Sequence, residues 1–565
     1  MLRLRLYSPI LVGAIIFLSS CSSSTDFDTL LVGGTIYDGS GQAPYVADVG
    51  IRADTIAAVG DLSGFSAAEE LDVSGLAVAP GFINMLSWAT TSLIEDGRSM
   101  GDILQGVTLE IFGEGWSLGP LNEAMKEETI NAQSDIKYDI DWTTLGEYLS
   151  SLERRGITPN VASFVGATTV RIHELQEEDR PPTADELERM KQLVREAMEE
   201  GALGVGSSLI YTPAFYADTE ELIELARVAA EYGGMYISHV RSEGNRLLES
   251  VDELIEIARE ADIRAEIYHL KAAGLQNWSK LEDVIDRVEE ARAEGLSITA
   301  DMYTYTAGST GLDAAMPPWV QEGGYGVWRK RLQDPSIRSR LIEEMSTPTD
   351  EWENLYLSAG AEGTVLVGFR QDSLRYLTGK TLSEAAELRG KSPEETAIEL
   401  VIADSSRVDV VYFLMSEENV RRQIQVPWVS FGSDSGSLSP EGVFLNSQPH
   451  PRAYGNFARL LGKYVRDEGL IPLEEAVRRL TSLPAENLHL DKRGRLADGY
   501  FADIAVFDPN TIIDHATFDD PHQLATGMIH VFVNGKIVLR NGTHTGALPG
   551  RFVKRAGTTG QHVEP

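Results

Sequence analysis

Between Met235 and Tyr305, polar groups recur at the ends of short apolar runs, and their spacing limits the fold more than any other feature. Ser238-His239, Tyr268-His269-Leu270-Lys271 and Ala300-Asp301-Met302-Tyr303 are separated by helical patterns at Glu249–Ala261 and Lys280–Gly295. His239 and His269 stand 30 residues apart, and His269 and Asp301 stand 32 apart. Each interval is the length of one strand-plus-helix unit. Polar groups at successive strand C-termini of an α/β barrel converge on one mouth, where such barrels do their chemistry. Either histidine alone would be read as a hydrogen-bonded barrel histidine, but two delivered this way form a candidate metal site.

The rest of the middle alternates as this reading requires. Strand candidates end near Met85, Gly113-Glu114, Val165-Gly166, Ser207, His239, His269, Asp301 and Ser433-Asp434, with capped helical patterns at Thr183–Glu200 and Thr219–Glu231. The stretch from Gly311 to about Gln425 is too long for one loop. It is expected to be an insertion with helices at Trp328–Glu344 and Ser392–Ile402 that covers the barrel mouth. Both ends of the body are β-rich: Thr29–Gly39, Asp48–Ile56 and Leu71–Ala79 at one, Ala502–Phe507 and Ile529–Val538 at the other, the last holding an Asn534-Gly535 hairpin signal. The expected fold is therefore α/β: a (β/α)8 TIM-type barrel over residues 81–485 with an insertion at about 311–425 between strands seven and eight. A small β-sandwich domain is expected from residues 26–80 and 486–555 together.

Composition excludes one class of partner. With 49 basic against 86 acidic residues the chain of 565 carries a net charge of −37, and nucleic acid binding needs a basic footprint. The start of the chain reads as an address. Arg3 and Arg5 precede an apolar run, Ile10–Leu18, too short to span a bilayer. It ends in Leu18-Ser19-Ser20-Cys21, and Cys21 is the only cysteine. Residues 1–21 resemble a bacterial lipoprotein signal, with Cys21 as the lipidation site. That places the body at the cell envelope facing the periplasm, with the membrane as partner through a lipid anchor only. A cleaved, soluble periplasmic protein is the alternative.

A set of motifs in order carries a family resemblance. Gly201–Leu209 with Tyr211, Tyr216–Leu222, Ser238–Gly244, His269–Gly274, Tyr303–Thr310, Ser433-Asp434, His450-Pro451-Arg452 and Gly494–Asp503 together resemble the D-aminoacylases. These are N-acyl-D-amino-acid deacylases of the metal-dependent amidohydrolase superfamily, and the resemblance runs over roughly residues 28–555. Two departures matter. The family ends its first barrel strand in His-x-His, where this chain has Leu86-Ser87-Trp88. It also presents a cysteine after strand two, where this chain has Gly113-Glu114-Gly115.

The resemblance implies that the tightly held zinc binds the strand-two residue and the two histidines, and that His-x-His serves a looser second position. Glu114, His239 and His269 remain for the tight position, and one carboxylate with two imidazoles is an accepted catalytic zinc set. One zinc per chain is expected, another divalent ion being possible. Asp434 matches the family's strand-eight aspartate and is expected to act as general base. Lys271, Tyr303, Ser309 and Arg452 match positions that hold the substrate carboxylate, for which a planar guanidinium is well suited. Leu86 and Trp88 are expected to narrow the side where a second metal would sit. His173 is read as a surface residue, His450 is passed over for Arg452, and Asp301 is expected to support the site without touching the metal. The expected activity is hydrolysis of the amide of an N-acyl-D-amino acid, or of a dipeptide ending in a D-residue. The alternative is an envelope binding protein of the same fold that has lost its metal and its activity.

Overall fold

A computed structural model describes residues 25–557; residues 1–21, expected to be a signal, and Cys21 with them lie outside the described residues. Parallel strands follow one another in chain order. Phe82–Asn84, Val107–Phe112 and Asn160–Ser163 form one sheet. Val165-Gly166, Gly204–Ser208, Met235–His239, Arg264–Ile267, Ile298–Met302 and Val429–Phe431 form the next. Hydrogen bonds join the sheets at both edges: Leu203 N donates to Ser163 O at 2.9 Å and Met85 N donates to Phe431 O at 3.2 Å. Strand side chains are buried almost throughout, as expected of parallel strands that helices cover.

The helices between the strands start where the sequence provides caps. Thr183 accepts from Glu186 N while Glu186 reaches back, closing a capping box ahead of Ala184–Glu200. Asp218 accepts from Glu221 N ahead of Thr219–Glu231. Leu247–Glu260 turns Leu247, Val251, Leu254, Ile255 and Ala258 inward at helical spacing.

Between the strands Ile298–Met302 and Val429–Phe431 lies the insertion, which has an apolar core of its own. It holds a three-stranded antiparallel sheet, Ala307–Gly311, Asp409–Phe413 and Thr364–Gly368, in addition to the expected helices. The single helix expected over Trp328–Glu344 is two, Tyr325–Arg331 and Pro335–Met345. Asp334 breaks it: its side chain accepts from Ser336 N and Pro335 opens the second helix, because proline tolerates the first turn and not the interior. The insertion reaches the mouth of the strands, where Gly274 N donates to Leu414 O at 2.9 Å and Glu243 N donates to Glu353 Oε2 at 2.6 Å.

Both chain ends build one nine-stranded sheet, joined where Ala77–Pro80 pairs antiparallel with Ile504–Phe507. The Asn534-Gly535 turn links Met528–Val533 to Lys536–Arg540, both turn residues having positive φ. Among the described residues no helix is long and apolar enough to cross a membrane.

Candidate metal centre

Glu114 is presented by the turn after Val107–Phe112, between two glycines with φ of +107° and +71°. A Cβ on Gly115 would lie 2.6 Å from Ser208 Cβ, so only glycine lets this turn press against the neighbouring strand. His239 closes Met235–His239, and His269 follows Arg264–Ile267 after one residue. Glu114 Oε1 lies 3.1 Å from His239 Nδ1 and 2.9 Å from His269 Nε2. The three donor atoms lie within 4.8 Å of one another and all three residues are buried.

The backbone is strained where it presents the site. His269 and Asp434 have φ of +35° and +48°, a region that costs a non-glycine residue about 1–3 kcal/mol. Neighbouring strands hold both in place. Asp301 Oδ1 accepts from His269 N at 3.0 Å, and Leu86 O accepts from Asp434 N at 2.8 Å. Asp301 thus supports the site through the backbone of His269.

Glu243 stands behind both imidazoles, with Oε1 3.0 Å from His269 Nδ1 and Oε2 3.7 Å from His239 Nε2. A carboxylate close to the far nitrogen of a histidine holds the ring for metal binding, as Glu243 does for His269; at 3.7 Å it makes no hydrogen bond to His239 Nε2, which has no partner. Two imidazole nitrogens and one carboxylate oxygen facing each other, with a carboxylate behind the rings, therefore fit a divalent ion such as zinc. Burial pushes Glu114 up, but the His269 and His239 rings beside it outweigh burial and hold its carboxyl well below the usual range. Burial and Lys271 push His269 down, yet Glu243 and Glu114 hold it up at about 10. Glu243 lies inside the Ser238–Gly244 motif, where the sequence alone assigns it no role. Its place four residues after His239 was the available signal.

Asp434 faces the centre from the far side. Arg452 Nη1 lies 2.7 Å from its Oδ2, and Trp88 Nε1 donates to its Oδ1 at 3.2 Å and to Glu114 Oε2 at 2.9 Å. Burial raises the Asp434 carboxyl, against the pull of Arg452. The Arg452 guanidinium stacks 4.5 Å from the centre of the Tyr303 ring, and neither its Nε nor its Nη1 has a hydrogen-bond partner, Nη1 meeting Asp434 as an ion pair. Lys271 Nζ lies 2.6 Å from Glu243 Oε1 and 2.7 Å from His269 Nδ1, 5.5 Å from the Tyr303 ring centre. Ser309 Oγ donates to Val410 O at 3.0 Å within the insertion sheet. Arg452, Tyr303 and Lys271 thus line one side of the centre, while Ser309 meets it through its carbonyl, which accepts weakly from Arg452 Nη2 at 3.4 Å.

Of the two residues replacing His-x-His, only Trp88 reaches the site; Leu86 is buried in an apolar cluster with Ile83, Met85 and Tyr268. His450 donates from Nε2 to Ala307 O at 2.9 Å and accepts from Arg452 N at 3.0 Å, and burial lowers its pKa. It is a neutral prop for Arg452. His173 lies away from the centre, against Glu174 at 2.9 Å.

The amidohydrolase family model matches residues 69–539, and the chain belongs to that family. Within it, the chain is 35% identical over 537 residues to a D-aminoacylase of Alcaligenes xylosoxydans xylosoxydans, covering 95% of this chain and 99% of that one. It is 32% identical over 533 residues to that organism's N-acyl-D-glutamate deacylase, covering 94% and 96%. Among solved structures, a D-aminoacylase with a binuclear metal centre, activated by one metal and attenuated by a second, superimposes with a TM-score of 0.77 at 33% identity, covering 94% of this chain and all (100%) of that one. The N-acyl-D-glutamate deacylase of Bordetella bronchiseptica, complexed with zinc and a phosphonate mimic of the tetrahedral intermediate, superimposes at 0.78 with 29% identity, covering 94% and 99%. These likenesses agree with an α/β amidohydrolase fold.

Proposed function

We propose that the protein hydrolyses the amide of an N-acyl-D-amino acid, or of a dipeptide ending in a D-residue, with one divalent ion held by Glu114, His239 and His269. The observation that carries this reading is the convergence of Glu114 Oε1, His239 Nδ1 and His269 Nε2, with the Asp434 carboxylate tied to the same Glu114 through Trp88. When bound, the ion supplies Lewis acidity to the amide carbonyl and to water.

The chain's own residues do the rest. Asp434 takes the proton from the attacking water and returns it to the leaving nitrogen, so the amide breaks to a carboxylic acid and an amine, which at neutral pH exchange a proton to become carboxylate and ammonium. Arg452 binds the substrate carboxylate through its free Nε edge while its Nη1 steadies Asp434. Tyr303 packs under that guanidinium, and Lys271 adds a positive charge on the same side. Ser309 contributes as an edge of this pocket.

For the architecture, we read the parallel strands as one closed (β/α)8 barrel with the insertion over its mouth, and the terminal sheet as a small sandwich-like domain. For location, we read Cys21 as the lipidated start of an envelope protein. The reading of a binding protein without catalysis is not favoured, because a base, three ligand atoms and a carboxylate behind the rings would all be superfluous to it. A panel of N-acyl-D- and N-acyl-L-amino acids and dipeptides, assayed with and without a chelator, tests the function. Chelator-sensitive release of a free D-amino acid is the expected result, and no hydrolysis of any member by the metal-loaded chain overturns it.

A further inference from the structure

Trp88 is the one aromatic side chain whose polar atom enters the centre from the end of the first parallel strand. Its backbone is anchored on both sides. Ser87 N donates to Ile111 O at 2.8 Å in the strand that carries Glu114, and Trp88 N donates to Ser435 O at 2.9 Å beside Asp434. The indole is thereby aimed between the two carboxylates, and its single N–H is shared by Glu114 Oε2 at 2.9 Å and Asp434 Oδ1 at 3.2 Å. Two carboxylate oxygens turned to one point, next to a metal centre, would otherwise attract a second divalent ion. An indole nitrogen is a donor only and cannot ligate, and Leu86 beside it is buried in the core.

We propose that Trp88 is a neutral stand-in for a second cation. It satisfies both carboxylates, fills the space between them, and keeps the centre at one ion even in excess metal. The consequence is functional: the solved D-aminoacylase with a binuclear centre is attenuated by its second metal, whereas this chain is built to escape that attenuation. The same N–H orients Asp434, leaving its Oδ2 on Arg452, so Trp88 is also a positioning residue for the base. The inference rests on the ion-binding part of the proposed function and not on the identity of the substrate.

The test is metal uptake by the full chain, measured as ions per chain by elemental analysis after equilibrium with zinc from substoichiometric to large excess. The indole N–H resonance of Trp88, assigned by its absence in Trp88→Phe, is followed alongside. The expected result is saturation at one ion, with the resonance still at its hydrogen-bonded shift. Trp88→His, folded by circular dichroism, puts a ligand in place of the donor between the same two carboxylates and is expected to gain a second ion. A second ion in the unaltered chain with loss of that resonance would overturn the inference, as would a folded Trp88→His variant that stays at one. A chain that binds no ion under any condition overturns the ion-binding reading and this inference together, which separates that failure from a second ion, which overturns this inference alone.

Discussion

Glu243 Oε1 lies 3.0 Å from His269 Nδ1, on the side of the ring opposite Glu114, so one carboxylate faces each nitrogen of this imidazole. Losing the rear partner frees the ring to rotate and changes which nitrogen carries the proton. Glu243→Gln is expected to weaken zinc binding about ten- to a hundredfold, read by competition with a fluorescent chelator. Unchanged zinc affinity would mean that Glu243 serves only to hold Lys271.

Asp434→Asn keeps the size of the side chain and removes its ability to take a proton. The expected effect is a fall in kcat of about a hundred- to ten-thousandfold, with metal content per chain unchanged. If the variant retains kcat, another group is the base.

Arg452→Lys preserves the charge beside Asp434 and loses the planar fork. KM for an N-acyl-D-amino acid is expected to rise by roughly ten- to a hundredfold, with a smaller change in kcat. Equal loss in both parameters would place Arg452 on the base rather than on the substrate carboxylate.

Glu266 lies within Arg264–Ile267, with Oε2 accepting from Asn487 at 3.1 Å and Thr299 while Oε1 has no partner. Burial pushes its carboxyl up to about 7. A carboxyl raised on folding stabilises the fold while protonated, and that contribution is lost as pH rises from the ordinary value near 4.5 to about 7. Glu266→Gln is therefore expected to be more stable than the unaltered chain above neutral pH by roughly 1–3 kcal/mol, the difference vanishing toward pH 4. Parallel denaturant titrations at several pH values read this, and a pH-independent difference would contradict it.

Much of this was legible in the sequence because periodicity and end signals agree. The helix Thr219–Glu231 has the expected limits, set by the Asp218 cap, and strands reach the mouth at His239, His269 and Asp301 as the spacing requires. His239 and His269 could be paired from their spacing, and Glu114 joined them through the family resemblance, which sets the strand-two residue beside the two histidines. What was not legible depends on side-chain direction in three dimensions. Leu86 and Trp88, two residues apart, diverge into the core and the centre. Lys271 is engaged by Glu243, which a linear reading places in another motif. The break at Asp334-Pro335 was a local signal that the longer apolar pattern around it obscured.

The central claim is that Glu114, His239 and His269 hold the ion on which amide hydrolysis depends. Zinc content per chain and hydrolysis of an N-acyl-D-amino acid, measured on the same preparations of the unaltered chain and Glu114→Ala, test it most directly. One zinc and chelator-sensitive hydrolysis are expected in the first, and loss of both in the second. An unaltered chain that holds no metal after reconstitution, or a Glu114→Ala variant that keeps both zinc and activity, would contradict it.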